Sequence, residues 1–315
     1  MVPINTDKAA RQQGGASAVL PVTLVVLAFN EEANLGACLE SLSPRMARTI
    51  VVDSGSTDRT RDIAAAHGAD VVSHAFEGHS RQWRWALSNV AMPTAWVLAL
   101  DADQRATPAL VAEIADVLQR GDCADLAGCF VVRRQIFRGR WIRHGGYYPK
   151  HLLKLFRKDA VSIDEGELVD HHFHVRGRTA TLRGEIIEEN RNENVIATWI
   201  AKHNRYAVLQ AREEFERGPS AVHHGRFFGS PDERVLWKKR VWKRLPLFVR
   251  PCLYFLYRYV IRLGFLDGRQ GFVFHVLQAF WYRLLVDINL EELGHAANNQ
   301  AGGPAPDDIQ HQVTT

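Results

Sequence analysis

Three short polar runs each follow an apolar, β-prone stretch, and their residue types are those that hold a nucleotide, its phosphates or a cation. The first is Ala28-Phe29-Asn30-Glu31-Glu32, the second Asp53-Ser54-Gly55-Ser56-Thr57-Asp58, and the third Asp101-Ala102-Asp103-Gln104. Asp101 and Asp103 are two residues apart, so while the chain stays extended both carboxylates lie on one face and address one ligand. Hard oxygen ligands in that arrangement suit Mg2+ or Mn2+, which bind one or two carboxylates plus diphosphate oxygens and water. The same spacing also suits an Asp-rich turn that ends a strand. Asp53, beside a Gly-containing loop, can accept from a base N–H or from ribose hydroxyls, or serve only as the cap of a strand-to-helix turn.

These runs matter only if the surrounding elements bring them to one edge. The stretches Thr23–Leu27, Ile50–Val52 and Trp96–Leu100 are almost wholly apolar, as strands covered on both faces must be, and Asp70–Val72 adds a shorter one. Helical stretches separate them: Gly68 is placed as a C-cap, and Thr107-Pro108 as an N-cap with a first-turn proline. The alternation predicts an α/β fold with a mostly parallel central sheet. Ligands of such sheets sit outside the carboxyl ends of the strands, where all three polar runs fall. A further strand is expected over Phe130–Phe137, then a loop rich in Gly, Arg and Tyr to about Lys150. From Trp199 onward the pattern is mostly helical.

The chain has 315 residues, 46% hydrophobic and 23% charged, in ordinary globular proportion. Residues 1–17 and 294–315 are expected to be a disordered leader and tail, since they lack the apolar residues that offset chain entropy. The chemistry is expected in a domain over 18–195, followed by a helical, membrane-associating region over 196–293. No signal-peptide pattern opens the chain, so a cytoplasmic location is expected. Cys38, Cys123, Cys129 and Cys252 form no CxxC pair, which fits reduced thiols better than a zinc ribbon. The dinucleotide and P-loop fingerprints GxGxxG and GxxxxGK[ST] are missing, which argues against dehydrogenases and P-loop enzymes. A sugar nucleotidyltransferase is the alternative enzyme class, but the Gly-rich phosphate loop it would carry does not follow the first strand.

Leu27–Glu32, Val51–Asp58 and Leu100–Asp103 together resemble the family 2 inverting glycosyltransferases, and more narrowly the bacterial branch of lipopolysaccharide-core and exopolysaccharide glucosyltransferases. The resemblance extends from about Val22 to Glu292 and implies a GT-A type nucleotide-sugar domain. It implies that Asp53 contacts the nucleoside, that Asp101 contacts the ribose or the metal's waters, and that Asp103 binds the metal. The backbone from Ala28 through Phe29 and Asn30 to Glu31 would line the base pocket. Relatives often carry Glu where this chain has Gln104, one negative charge fewer beside the metal. Within Ser80–Leu87, which resembles the family's helix near the donor diphosphate, Arg84 is either a phosphate contact or part of a solvated face. Inversion needs a base downstream of the Asp pair to take the acceptor's proton. The stretch Asp164–Gly177 supplies the candidates, Asp170 first and His171 next; relatives place a Glu near His171, so the chain departs from the pattern there. His171, His172 and His174 could also be read as a zinc group, but no second ligand pair accompanies them.

Net charge is +4, yet nine basic and no acidic residues fall between Arg234 and Leu266, leaving the remainder at −5. A nucleic-acid-binding protein built on that block is the other class to weigh, and it would leave the α/β half without a purpose. The companions of these charges are Trp, Leu, Phe and Tyr, the composition of helices that lie in a lipid headgroup layer. The longest uncharged stretch of the region from Arg234 to Leu293, Gln270 to Tyr282, is well short of the roughly 20 residues that span a bilayer. The reading is therefore a peripheral enzyme at the inner membrane face, taking a nucleotide sugar, with UDP the expected carrier, and a lipid-linked or lipopolysaccharide-type acceptor. The blander reading is that these helices only pack on the catalytic domain.

Overall fold

The computed structural model describes residues 2–3, 19–119, 125–164, 172–217, 242 and 244–301. Asp170 and His171 lie outside the described residues, as does most of the basic block. The chain forms two compact units, one of Met1–Lys202 with Leu256–His275, the other of His203–Phe255 with Val276–Thr315.

In the first unit the strands are β1 (Val2–Pro3), β2 (Leu20–Ala28), β3 (Met46–Asp53), β4 (Asp70–Ser73), β5 (Trp96–Asp101), β6 (Gln104–Ala106), β7 (Leu126–Phe137), β8 (Arg140–Trp141), β9 (Lys150–Arg157) and β12 (Arg178–Glu188). Among the described residues these ten form one sheet, ordered β1-β12-β7-β9-β5-β2-β3-β4, with β6 on β12 and β8 on β7. A separate hairpin pairs β10 (Val161–Ile163) with β11 (Phe173–Val175). Strands β2, β3, β4 and β5 run parallel, and so do β7 and β12. The sheet is mixed because β9 enters antiparallel between β5 and β7.

The apolar runs read from the sequence are buried on both faces. Leu24, Val26, Leu98 and Leu100 point to one side, where they meet Leu35 and Leu39 of α1 (Leu35–Leu42) and Leu110 and Ile114 of α4 (Pro108–Gln119). Val25, Leu27, Val97 and Ala99 point to the other and meet Trp83 and Ala86 of α3 (His79–Asn89). This two-sided cover explains why the strands show no polar alternation. The expected strand Phe130–Phe137 begins earlier, at Leu126, and the expected helix after Trp199 begins at Ile196, as α5 (Ile196–Arg217). Gly68, at φ +69° just beyond α2 (Thr60–Ala66), adopts the left-handed conformation that ends a helix.

The second unit is helical. Ala207 and Ala211 pack with Tyr282 and Val286, and the buried Arg250 Nε meets the buried Asp287 Oδ1 at 2.6 Å. That carboxylate also accepts from Phe248 N at 2.8 Å, so the buried charge is paired on both oxygens. Among the described residues no helix is long and apolar enough to cross a membrane.

Strand and helix meet closely at Gly184: a Cβ there would sit 2.4 Å from Leu110 Cα, a backbone atom that cannot swing aside. Gly184→Ala is therefore expected to lower unfolding free energy by about 1–3 kcal/mol, as overpacking does. Urea unfolding of the two proteins measures it, and equal midpoints would show that β12 and α4 are not in fixed contact.

Candidate active site

The carboxyl ends of β2 and β3 are knitted into one surface. Ser54 N donates to Ala28 O at 3.0 Å, Asn30 N to Ser56 Oγ at 2.9 Å, and Thr57 N to Asn30 Oδ1 at 2.8 Å. Asn30 takes φ +53°, a left-handed conformation that Asn tolerates better than other side chains, and Phe29 before it is exposed. Glu31 N donates to Thr60 Oγ1 at 2.7 Å, and its side chain accepts from Asn34 Nδ2 at 2.6 Å. Burial raises the Glu31 carboxyl above its ordinary range despite that bond.

Asp53 is fully buried where β3 ends. Its carboxylate accepts from Gly55 N and Ser56 N, each at 3.2 Å, and from Arg61 Nε at 2.6 Å. Burial pushes this carboxyl up, but the bonds from Ser56 and Arg61 outweigh it and hold the group below the ordinary range. Gln82 of α3 reaches the same turn, donating to Ser54 Oγ at 3.1 Å while its oxygen faces His74 Nδ1 at 2.7 Å. Arg84, two residues on, lies on the exposed face of α3.

At the end of β5, Asp101 Oδ2 lies 3.1 Å from Nζ of the buried Lys154. The antiparallel entry of β9 makes this possible, because Leu98 pairs with Leu155 and the start of β9 thus faces the end of β5. Gln104 is buried and bridges: its oxygen accepts from Asp101 N at 3.2 Å and its amide donates to Glu188 Oε2 at 2.8 Å. Arg133 Nη1 holds the other oxygen of Glu188 at 3.1 Å. Asp103, half-buried, stands among like charges. Burial and then the negative fields of Glu188, Asp101 and Glu31 raise its carboxyl well above the ordinary range, and Lys202 offsets only part.

The loop after β8 completes this edge. Tyr148 Oη donates to Glu185 Oε1 at 2.8 Å, and Arg134, paired to the same glutamate, lies 4.4 Å over the Trp141 ring. His144 N and Nδ1 contact the two oxygens of the buried Asp267 at 2.9 and 2.7 Å, and Gly145 N donates to Arg262 O at 2.9 Å. A Cβ on Gly145 would lie 2.0 Å from Cε1 of the buried His275. Burial, reinforced by Arg258, lowers that imidazole to about 4, so it is neutral near pH 7.

The fold thus brings Ala28, Phe29, Asn30, Glu31, Asp53, Asp101 and Asp103 to the carboxyl edge of one sheet, with Arg84 on the adjacent helix. Sequence reasoning missed Lys154, Glu188 and Lys202. The signal for Lys154 was present: a single cation inside the apolar run Leu152-Leu153-Lys154-Leu155-Phe156 needs a buried partner. Glu188 and Lys202 carried none, because their neighbours are set by tertiary pairing.

Because the folded Asp53 carboxyl lies below its unfolded value, its stabilisation is fully present above the unfolded pKa of about 3.9 and is lost as pH falls through the folded one. Asp53→Asn is expected to cost about 1–3 kcal/mol at neutral pH, the penalty for stripping a buried hydrogen-bonded group. The gap from wild type should close in acid. Urea unfolding at neutral and acid pH tests this, and a gap that widens in acid contradicts it.

The family profile described as Glycosyl transferase family 2 matches residues 23–181, which include the three polar strand ends. The lipopolysaccharide core biosynthesis glycosyltransferase LpsC of Rhizobium meliloti is 28% identical over 236 residues, 71% of this chain and 83% of that protein. An uncharacterized glycosyltransferase of Rickettsia typhi is 33% identical over 284 residues, 88% and 89% of the two chains. A crystal structure of glucosyl-3-phosphoglycerate synthase from Mycobacterium tuberculosis, with Mn2+, UDP-glucose and phosphoglyceric acid, is 26% identical at a TM-score of 0.29. That overlap spans 38% of this chain and 44% of the other, too loose to transfer any role. The family match over the strand ends, the parallel core and the acidic edge agree: this chain belongs to glycosyl transferase family 2 and has its GT-A fold.

Proposed function

We propose that this protein transfers a sugar, with inversion, from a nucleoside diphosphate donor, UDP being the expected carrier, to a lipid-linked or lipopolysaccharide-type acceptor at the inner membrane face. The observation that carries the reading is the acidic edge, where the half-buried Asp103 stands in the negative fields of Glu188, Asp101 and Glu31, which Lys202 offsets only in part. Among the described residues no three His, Cys, Asp or Glu side chains converge as a closed metal cage. The residues therefore fit Mg2+ or Mn2+ held by Asp103 and Asp101, with diphosphate oxygens and water completing its shell. When bound, such a cation neutralises charge on the departing diphosphate.

The chain's own groups divide the remaining work. We place the nucleoside against the Ala28–Glu31 backbone, beside the turn that the buried Asp53 braces, and Lys154 fixes the orientation of Asp101. Gln104 spares the edge one charge: a glutamate there would face Glu188, whereas the amide donates to it. We assign Arg84, on the exposed face of α3, to the diphosphate. The acceptor hydroxyl attacks the anomeric carbon opposite the leaving diphosphate, and a base takes its proton as the glycosidic bond to phosphate breaks. We assign the base to Asp170, with His171 as its neighbour in reserve. The likeness to LpsC, a lipopolysaccharide-core enzyme, supports the acceptor class. The basic, aromatic-rich segment within 234–293 supports the membrane location.

Two tests follow. Asp103→Ala should abolish Mn2+- or Mg2+-dependent transfer while keeping the melting temperature, measured by radiolabelled sugar transfer and calorimetry; full activity of the variant, or of wild type in EDTA, removes the metal assignment. Asp170→Asn should bind donor normally yet turn over about 10²–10⁴-fold more slowly. A large loss in His171→Ala with none in Asp170→Asn moves the base to the histidine.

A further inference from the structure

Within the first unit, the segment Leu256–His275 has two sides of opposite character. Its inner side is the wall of the loop that follows β8: Asp267 holds His144, the Arg262 carbonyl holds Gly145, and the Arg258 guanidinium lies 3.9 Å over the Tyr147 ring. Phe274 packs on Tyr147 and Phe137, with centroids 4.8 and 5.2 Å away. Among the described residues its outer side makes none of these contacts to the loop. Leu256, Val260, Ile261, Leu263, Phe265 and Leu266 are all exposed, Ile261 by 69%. Scattered exposed apolar residues are ordinary, but six within eleven positions form a patch that a soluble monomer rarely shows.

The charges on this segment narrow the choice of occupant. Its one acid, Asp267, is buried against His144, while Arg262 and Arg269 are exposed, so the charged groups it shows to solvent are cationic. A two-fold pairing of two copies through this face would oppose the same cations to one another. An anionic lipid surface meets both features, apolar side chains entering the interface and guanidinium groups meeting lipid phosphates. No described helix is long and apolar enough to span a bilayer, so a segment that met one would lie along its surface.

We propose that Leu256–Phe272 is the element that seats this enzyme on an anionic bilayer by apolar insertion, and that it thereby presents the His144–Tyr148 loop to the lipid surface. This rests on the reading that the acceptor is held at a membrane, and sharpens it: the contact is apolar and adjoins the active-site loop, rather than being a charge attraction made by the upstream basic block. The loop is fixed to the segment by the Asp267 and Arg262 bonds, so the position of one at the surface sets that of the other.

Flotation of the full chain with phosphatidylcholine–phosphatidylglycerol vesicles, at about 0.1 M and about 1 M salt, tests it. Wild type should float at both. Ile261→Asp with Leu266→Asp should weaken vesicle binding about tenfold or more, since burying one such side chain is worth at least that factor. Val19→Asp, an exposed apolar position outside the segment, should float like wild type. Matching melting temperatures would show that the variants are folded. If wild type floats only at low salt and the double variant floats equally, the enzyme is held by charge; the membrane reading stands and this inference falls. If wild type does not float at low salt, both fall. A wild-type dimer in sedimentation that the double variant converts to monomer gives the face to a second copy and also overturns the inference.

Discussion

A lysine inside a sheet strand is tolerated only where a carboxylate meets it, and Lys154 meets Asp101 at 3.1 Å with its own surface almost wholly covered. This pair ties the antiparallel strand β9 to the end of the parallel strand β5. It also fixes where the acidic edge begins. Were β9 shifted by one residue, its side chains would change face and Asp101 would lose its partner. Register, burial and the placement of the first carboxylate are therefore one constraint.

Around that pair the edge is built from balanced and unbalanced charges. Glu188 is satisfied by Gln104 and Arg133, and Asp53 by Arg61 and two backbone amides, so both act as fixed scaffolding. Asp103 is left with a net repulsive field. A group that is destabilised in isolation and relieved by a ligand is the usual mark of a binding site, because the strain is offset by the rest of the fold and released on binding.

Much of this was legible in the residues themselves. The apolar runs around Val25, Val51 and Leu98 have a composition that only two-sided burial explains, and the polar residues that end them had to lie at one edge once the strands were parallel. Asp53, Asp101 and Asp103 were found that way. The antiparallel insertion of β9 was not, because Lys150–Arg157 follows a long loop and its direction depends on which neighbours it meets, not on its own pattern. Glu188 and Lys202 were invisible for the same reason: a glutamate near a strand end and a lysine on a helix are ordinary until tertiary pairing brings them to Asp103. The mixture of basic, aromatic and aliphatic residues through Leu263 was legible, but which residues of Leu256–Phe272 face inward depended on the bonds to His144 and Gly145.

The sheet order also governs when the site comes into being as the chain folds. Asp101 and Lys154 are 53 residues apart, Gln104 and Glu188 are 84 apart, and Asn34 reaches Asn190 across 156. The local strand-helix units from Leu20 to Gln119 contain both aspartates but not Lys154, Glu188 or Lys202, and closing such long loops costs chain entropy before any contact rewards it. A nascent or partly folded chain thus holds two ill-placed carboxylates and no binding edge. The acidic edge is thus a property of the completed sheet, and any ligand that requires it would report on the most non-local contacts of the chain.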